Sequence, residues 1–304
     1  MLRSTTLALT VAAALALSAP ASAQHSQSEE GTAMSTPNKS GYAPVNGVEL
    51  YYQIHGEGEP LVLLHGGFGS IEMFGPNLSA LAAGRQVIAV DLQGHGRTLP
   101  FDRPMSFEAM ATDVSELIGY LGLEKADVMG YSMGGGTALR LAIDHPEVVD
   151  RLVVVSTVFA YSGWHDFNAQ GMKSIGPEAA EGMKQTPMYQ SYAQIAPDVN
   201  NWTKLVTQMG KFIGNDYDWS AEVPAIKAPT LLVFGDWDSV RTSHVARFFE
   251  LLGGGQQDAN WDRSGMNANR LAILPDSTHY EIFMNPRLAE AAIAFLDAPA
   301  TAAR

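Results

Sequence analysis

Ala126-Asp127-Val128-Met129-Gly130-Tyr131-Ser132-Met133-Gly134-Gly135-Gly136-Thr137-Ala138-Leu139-Arg140-Leu141-Ala142-Ile143 is the stretch whose reading decides the fold. Its opening, Ala126–Met129, is a short and mostly apolar run, the pattern of a strand covered on both faces. Its end, Thr137–Ile143, continues as a helix. Between them stands G-x-S-x-G. A strand that turns directly into a helix there holds its serine in a strained backbone conformation, with the hydroxyl raised above the sheet. Side chains at 130 and 134 would collide with neighbouring backbone, so both must be small, and Gly135 and Gly136 extend that tolerance. The N-terminus of the following helix favours negative charge. Ser132 is therefore a candidate nucleophile. The bland alternative, a serine in a tight structural turn, does not account for the strand before it and the helix after it.

Working outward, short apolar runs recur at Val48–Ile54, Leu61–Leu64, Gln86–Val90, Leu152–Ser156, Thr230–Phe234 and Leu271–Leu274. Helical patterns separate them. The clearest is Phe107, Met110, Val114, Leu117, Ile118 and Leu121, an i, i+3, i+4, i+7 stripe with Ser106 as its N-cap. Such alternation predicts an α/β fold, a mostly parallel sheet with helices on both faces. Ligands of these sheets bind beyond the carboxyl ends of the strands, so the residues at those ends carry the functional argument.

Three further strand ends matter. Leu61–Leu64 is followed by His65-Gly66-Gly67-Phe68-Gly69, a flexible loop whose amides can face a developing oxyanion. The amides of Gly67 and Met133 are the expected donors, with Phe68 as the alternative to Gly67. His65 is expected to brace the loop. A phosphate-binding loop is excluded, since no Lys-Ser/Thr pair follows and G-x-G-x-x-G spacing is absent. Thr230–Phe234 ends in Gly235-Asp236-Trp237-Asp238, and Leu271–Leu274 leads to Pro275-Asp276-Ser277-Thr278-His279-Tyr280. Hydroxyl, carboxylate and imidazole then come in the order Ser, Asp, His, each at its own strand end. His279 is the candidate base. Asp236 and Asp238 both qualify as the acid that orients it, and Asp276 reads as a turn former. Phe68, Tyr131, Trp164 and Trp237, beside these groups, are candidate substrate contacts.

Residues 159–221 break the rhythm and hold 14 of the 40 Phe, Trp, Tyr and Met residues. A structureless loop of that length is improbable, so the segment is read as an inserted helical cap. Trp164, Phe167, Met172, Met183, Met188, Tyr189, Trp202, Met209 and Phe212 are its candidates to face a substrate, although most such side chains serve packing. The polar connection Gly253–Asn269 has no functional reading.

At the N-terminus, Arg3, the apolar run Leu7–Leu17 and Ala21-Ser22-Ala23 form a secretory leader pattern with cleavage near Ala23. That predicts export, to a periplasm or out of the cell, with no stable membrane anchor. The expected organisation is a leader at 1–23, a flexible linker at 24–41, and one domain at 42–304 that carries the cap. No cysteine occurs, which excludes disulfides, thiol nucleophiles and thiolate metal sites. No His and carboxylate cluster has ligand spacing, so neither metal nor cofactor is expected. The formal net charge is -13; loss of the leader removes Arg3 and no acid, leaving 18 basic against 32 acidic residues, or -14. Such a surface repels phosphate backbones, so nucleic acid is not an expected partner.

Taken in order, Asn46-Gly47-Val48-Glu49-Leu50-Tyr51-Tyr52, His65-Gly66-Gly67, Asp91-Leu92-Gln93-Gly94-His95-Gly96-Arg97-Thr98, Gly130-Tyr131-Ser132-Met133-Gly134-Gly135, Gly235-Asp236-Trp237-Asp238 and Thr278-His279-Tyr280 resemble the α/β-hydrolase superfamily, in particular its small serine hydrolases. The likeness spans about residues 45–298. It implies that the acid is the Asp three residues after the strand-end Gly, Asp238, and that the cap lies between the sixth and seventh core strands. It also implies a Ser-His-Asp hydrolase, and export together with the apolar composition of the cap suits small-molecule esters of small to medium apolar groups. Lactone, carbon–carbon and peracid chemistry on the same residues are the alternatives within the family. A catalytically silent binding protein is the alternative outside it.

Overall fold

Leu61-Val62-Leu63-Leu64 is buried on both sides, and its side chains alternate between two separate cores. Val62 and Leu64 enter one, Leu61 and Leu63 the other. Leu152-Val153-Val154-Val155 and Leu231-Leu232-Val233-Phe234 divide in the same way. That two-residue period is the geometry of a strand, and each fully buried side chain stabilises the fold by about 1.5–3 kcal/mol.

The computed structural model describes residues 36–99 and 102–299. Among them lie β1 (Lys39–Val45), β2 (Val48–His55), β3 (Glu59–Leu64), β4 (Arg85–Asp91), β5 (Ala126–Tyr131), β6 (Val149–Val155), β7 (Thr230–Trp237) and β8 (Arg270–Thr278). The helices are α1 (Pro76–Ala82), α2 (Phe107–Tyr120), α3 (Met133–Asp144), α4 (Asp166–Lys173), α5 (Ala179–Met183), α6 (Pro187–Ile195), α7 (Trp202–Ile213), α8 (Thr242–Leu251) and α9 (Pro286–Leu296). The strands form one sheet in the order β1-β2-β4-β3-β5-β6-β7-β8. β2 runs antiparallel to both its neighbours, and the other pairs are parallel. Residues of α2, α3, α7 and α8 fill the core on one face, and those of α1 and α9 the core on the other. The expected α/β architecture is the observed one.

The Ser106 hydroxyl accepts from the Ala109 amide at 3.0 Å and starts α2. Its stripe residues Met110, Val114, Leu117 and Ile118 are buried. The sequence reading missed β1. Asn46 and Gly47, at φ 44° and 76°, make a two-residue hairpin turn that pairs Val45 with Val48. Asn-Gly was the available signal, but Lys39-Ser40-Gly41-Tyr42-Ala43-Pro44-Val45 has little apolar content because it is an edge strand. The linker reading of 24–41 is corrected at its end, since Lys39–Gly41 is already paired with β2. The leader, 1–23, lies outside the described residues. No helix among the described residues is long and apolar enough to cross a membrane.

Four helices, α4 to α7, occupy the long segment between β6 and β7. On α7 the residues Trp202, Leu205, Val206, Met209 and Phe212 share one buried face. The Phe212 ring meets Phe107 of α2 edge-on at 4.7 Å, and Trp202 Nε1 donates to Ala180 O at 2.9 Å. The start of the segment is tied to the loop after β7. Trp164 bridges Val240, the His165 amide donates to Ser239 O at 3.0 Å, and the Arg241 guanidinium donates to Trp164 O at 3.0 Å.

Candidate active site

β5 ends at Tyr131 and α3 begins at Met133, so Ser132 alone makes the turn, at φ 52° and ψ -114°. A side-chain-bearing residue is strained there. The strain is held by packing on both sides. A Cβ on Gly130 would stand 2.1 Å from Gly134 O, and one on Gly134 would stand 2.3 Å from Leu64 O. Only glycine permits either approach. The Ser132 amide donates to Val155 O at 2.9 Å, which ties the turn to β6.

Asp238 directly follows β7 and His279 directly follows β8. Ser132 Oγ lies 3.1 Å from His279 Nε2, and His279 Nδ1 lies 3.0 Å from Asp238 Oδ1. With Nδ1 donating to the carboxylate, Nε2 presents a lone pair to the hydroxyl and can take its proton. Burial pushes the Asp238 carboxyl up. The hydrogen bond and charge of His279, with hydrogen bonds from Ser156 and the Gly235 amide, outweigh it and hold the group below its usual range. Asp236 is turned away and accepts from the Ser277 amide at 3.0 Å. Asp276 sits at φ 56°, inside β8 rather than in a loop after it.

Ser156 was not among the residues singled out from sequence. It follows β6, is fully buried, and donates from Oγ to Asp238 Oδ2. Its φ of 49° is another left-handed position for a side-chain-bearing residue. A single Ser after an apolar run carries no local sign of such a role; only the placement of β6 beside β7 reveals it.

Gly67 adjoins the turn. A Cβ there would lie 4.0 Å from Met133 Cβ and 2.9 Å from Met209 Cε. Met133 is the first residue of α3, so its amide has no acceptor within the helix. Gly67 and Met133 are therefore neighbours across the turn. His65 braces the loop as expected: Nδ1 donates to Gly66 O at 2.7 Å and Nε2 accepts from the Leu92 amide at 3.0 Å. Burial holds its imidazole down to about 4, hence neutral.

The candidate substrate contacts divide. Trp164 meets the His279 ring edge-on at 5.5 Å and so borders the site, while Phe68, next to Gly67, packs against Trp202 at 5.8 Å. Tyr131 is corrected: its ring is buried beneath the loops and its hydroxyl donates to His279 O at 2.6 Å. It braces the base. Trp237 is corrected too. The register shift between Gly235 and Trp237 turns its ring to solvent, 78% exposed. Of the cap candidates, Phe167 and Met188 are exposed and Phe212 packs on the body, while Met209 reaches Gly67. The connection after α8 lines a cavity of about 690 Å³ with residues such as Phe249, Gly254, Asn267 and Arg270. It adjoins the start of β8, the end opposite His279, and takes no part in the site.

Fold and site together define a hydrolase of α/β type. The chain belongs to the alpha/beta hydrolase fold family, whose model matches residues 59–256. It is 28% identical over 260 residues to a serine hydrolase, BPHL, of Mus musculus, covering 83% of this chain and 84% of that one. It is 34% identical over 139 residues to the sn-1-specific diacylglycerol lipase ABHD11 of Danio rerio. That match covers 44% of this chain and spans less than half, 43%, of the relative's length. Among solved structures, the enol-lactonase from Burkholderia xenovorans LB400 superposes with a TM-score of 0.62 at 25% identity, covering 84% of this chain and 99% of that one.

Proposed function

We propose that this hydrolase is an exported serine enzyme that cleaves carboxylic esters of small to medium apolar groups through an acyl-enzyme. The reading is carried by the unbroken line Ser132 Oγ, His279 Nε2, His279 Nδ1, Asp238 Oδ1, with links of 3.1 and 3.0 Å. Ser132 Oγ attacks the ester carbonyl carbon while His279 Nε2 takes its proton. The oxyanion that forms is held by the amides of Met133 and Gly67. As the tetrahedral species collapses, the carbon–alkoxide bond breaks and His279 returns the proton to the departing alcohol. Water repeats the sequence on the acyl-enzyme: His279 takes its proton, the acid is released, and the proton goes back to Ser132. Asp238 holds the imidazole in the required tautomer, and Ser156 holds Asp238.

Lactone opening uses the same steps with the alcohol retained on the product, and the likeness to an enol-lactonase favours it as the second reading. Export rests on the leader pattern at 1–23 and places the mature chain in a periplasm or outside the cell.

A fluorophosphonate probe tests the nucleophile: it is expected to label the wild type and not Ser132→Ala. Labelling of both to the same extent defeats the assignment. Asp238→Asn is expected to lose about 10⁴-fold in kcat, by analogy with the general effect of removing the orienting acid, and Asp236→Asn less than about threefold. Cell fractionation with N-terminal sequencing of the mature chain tests export; an intact leader on cytoplasmic protein refutes it.

A further inference from the structure

The two sides of the site are built differently, and the geometry points to a consequence for the substrate: the enzyme selects short acyl groups and tolerates varied alcohols, with Met209 as the residue that sets the acyl limit. This inference rests on the ester reading above.

Chemistry fixes which side is which. His279 Nε2 must reach the oxygen that departs, so the alcohol lies against His279. The carbonyl oxygen lies at the amides of Gly67 and Met133. The acyl chain takes the remaining direction, away from the imidazole and past those amides.

The alcohol side is partly open: the buried Trp164 indole stands edge-on to the His279 ring at 5.5 Å, and the rest of the rim is exposed. Tyr280 flanks the His279 ring at 5.6 Å and is 62% exposed. The Asn168 side chain donates to the Tyr280 hydroxyl at 3.0 Å, and its neighbour Phe167 is exposed. The acyl side is shut. Met209 Cε lies 2.9 Å from where a Cβ on Gly67 would stand, with Met133 Sδ at 4.0 Å. Met209, Met133 and Phe68 are all buried, and Trp202 closes over Phe68. A long acyl chain would have to displace Met209 from the packed face of α7, whereas a methyl or ethyl group need not. Displacing well-packed side chains is costly, while a longer alcohol can run past Tyr280 to the exposed rim.

The test uses the full-length mature enzyme and two ester series. One varies the acid (p-nitrophenyl acetate, butyrate and octanoate). The other holds the acid as acetate and varies the alcohol (ethyl, butyl and octyl). The wild type is expected to lose at least about tenfold in kcat/KM from acetate to octanoate, since pocket limits discriminate on that scale. Across the alcohol series it is expected to vary by less than about threefold. Met209→Ala should shrink the acyl ratio by about fivefold or more without changing the alcohol ratio. Met209→Leu, close in volume, should keep the wild-type acyl ratio and serves as the variant most certain to fold.

A flat acyl profile in the wild type overturns the inference. So does an unchanged acyl ratio in a Met209→Ala protein that still takes up the phosphonate probe. If Met209→Ala does not fold, the wild-type and Met209→Leu acyl series decide the matter: a wild-type drop kept by Met209→Leu supports the inference, and its absence overturns it. Failure of the ester reading is distinct: then no ester in either series is turned over, although Ser132 is labelled.

Discussion

The turn at Ser132 and the helical segment between β6 and β7 both border the site, but they are held in place by different parts of the chain. The turn is held by backbone. Gly130 and Gly134 bring main-chain atoms so close that one added carbon has no room, and the neighbours are carbonyl groups that cannot swing aside. The helical segment is held by side chains. Trp202, Met209 and Phe212 pack as rings and thioethers, which adapt to changes in size. The proposed chemistry thus resides where the chain tolerates no change, and the proposed selectivity where change has graded effects. The same contrast explains why the proposed reacting groups stand on strand ends, while the residue proposed to limit the substrate stands on a helix.

The sharpest way to break this comparison is Gly134→Ala. Its new carbon would stand 2.3 Å from Leu64 O and 2.5 Å from His65 O. We expect a loss of about 4 kcal/mol or more, enough to leave little soluble protein. Thermal melting checks this, and a variant that melts with the wild type would show that backbone contact does not hold the turn. Trp202→Ala on the other region should cost about 3–5 kcal/mol. Hydrogen exchange should place the loss in α5 to α7, with the sheet protected. Phe167→Ala, exposed on the same segment, should stay within about 0.5 kcal/mol.

Ser156 tests the boundary between the two modes, since it combines a strained backbone with a side-chain bond. Ser156→Ala and Ser156→Gly both remove the hydroxyl, and only the second relieves the φ of 49°. Each should lower kcat about tenfold, the scale of one hydrogen bond to a charged group, with KM little changed. Full activity in the glycine variant would assign the position to backbone shape alone.

A further effect is in pH. Burial lowers His65 and His244 to about 4 and His95 to about 3, from an ordinary value of 6.5. Below pH 6.5 the unfolded chain binds protons at these sites that the folded chain refuses. Their stabilising contribution is therefore whole above 6.5 and falls as the pH drops toward 4. The slope is at most about 1.4 kcal/mol per pH unit for each histidine. Asp91, pushed up to about 6 by burial, takes a proton earlier in the folded state and partly offsets the loss. Urea midpoints should decline between pH 6.5 and 4.5, and His244→Gln should make the decline shallower. An unchanged slope in that variant would remove His244 from the account.

Sequence by itself determined what neighbouring residues decide: the strand runs, the capped helix at Ser106, the G-x-S-x-G turn and the order Ser, Asp, His. These follow from local sterics and from the period of apolar residues, which a short window contains. Even there the edge strand at Lys39–Val45 escaped notice, because an edge strand buries little. Tertiary structure alone decided which side chains converge. It turned Trp237 outward at a register shift, placed Tyr131 beneath His279, and brought Ser156 to Asp238 and Met209 to Gly67. Each of those contacts joins residues far apart in the chain. Their distance depends on how strands and helices stack, and a linear pattern does not encode that.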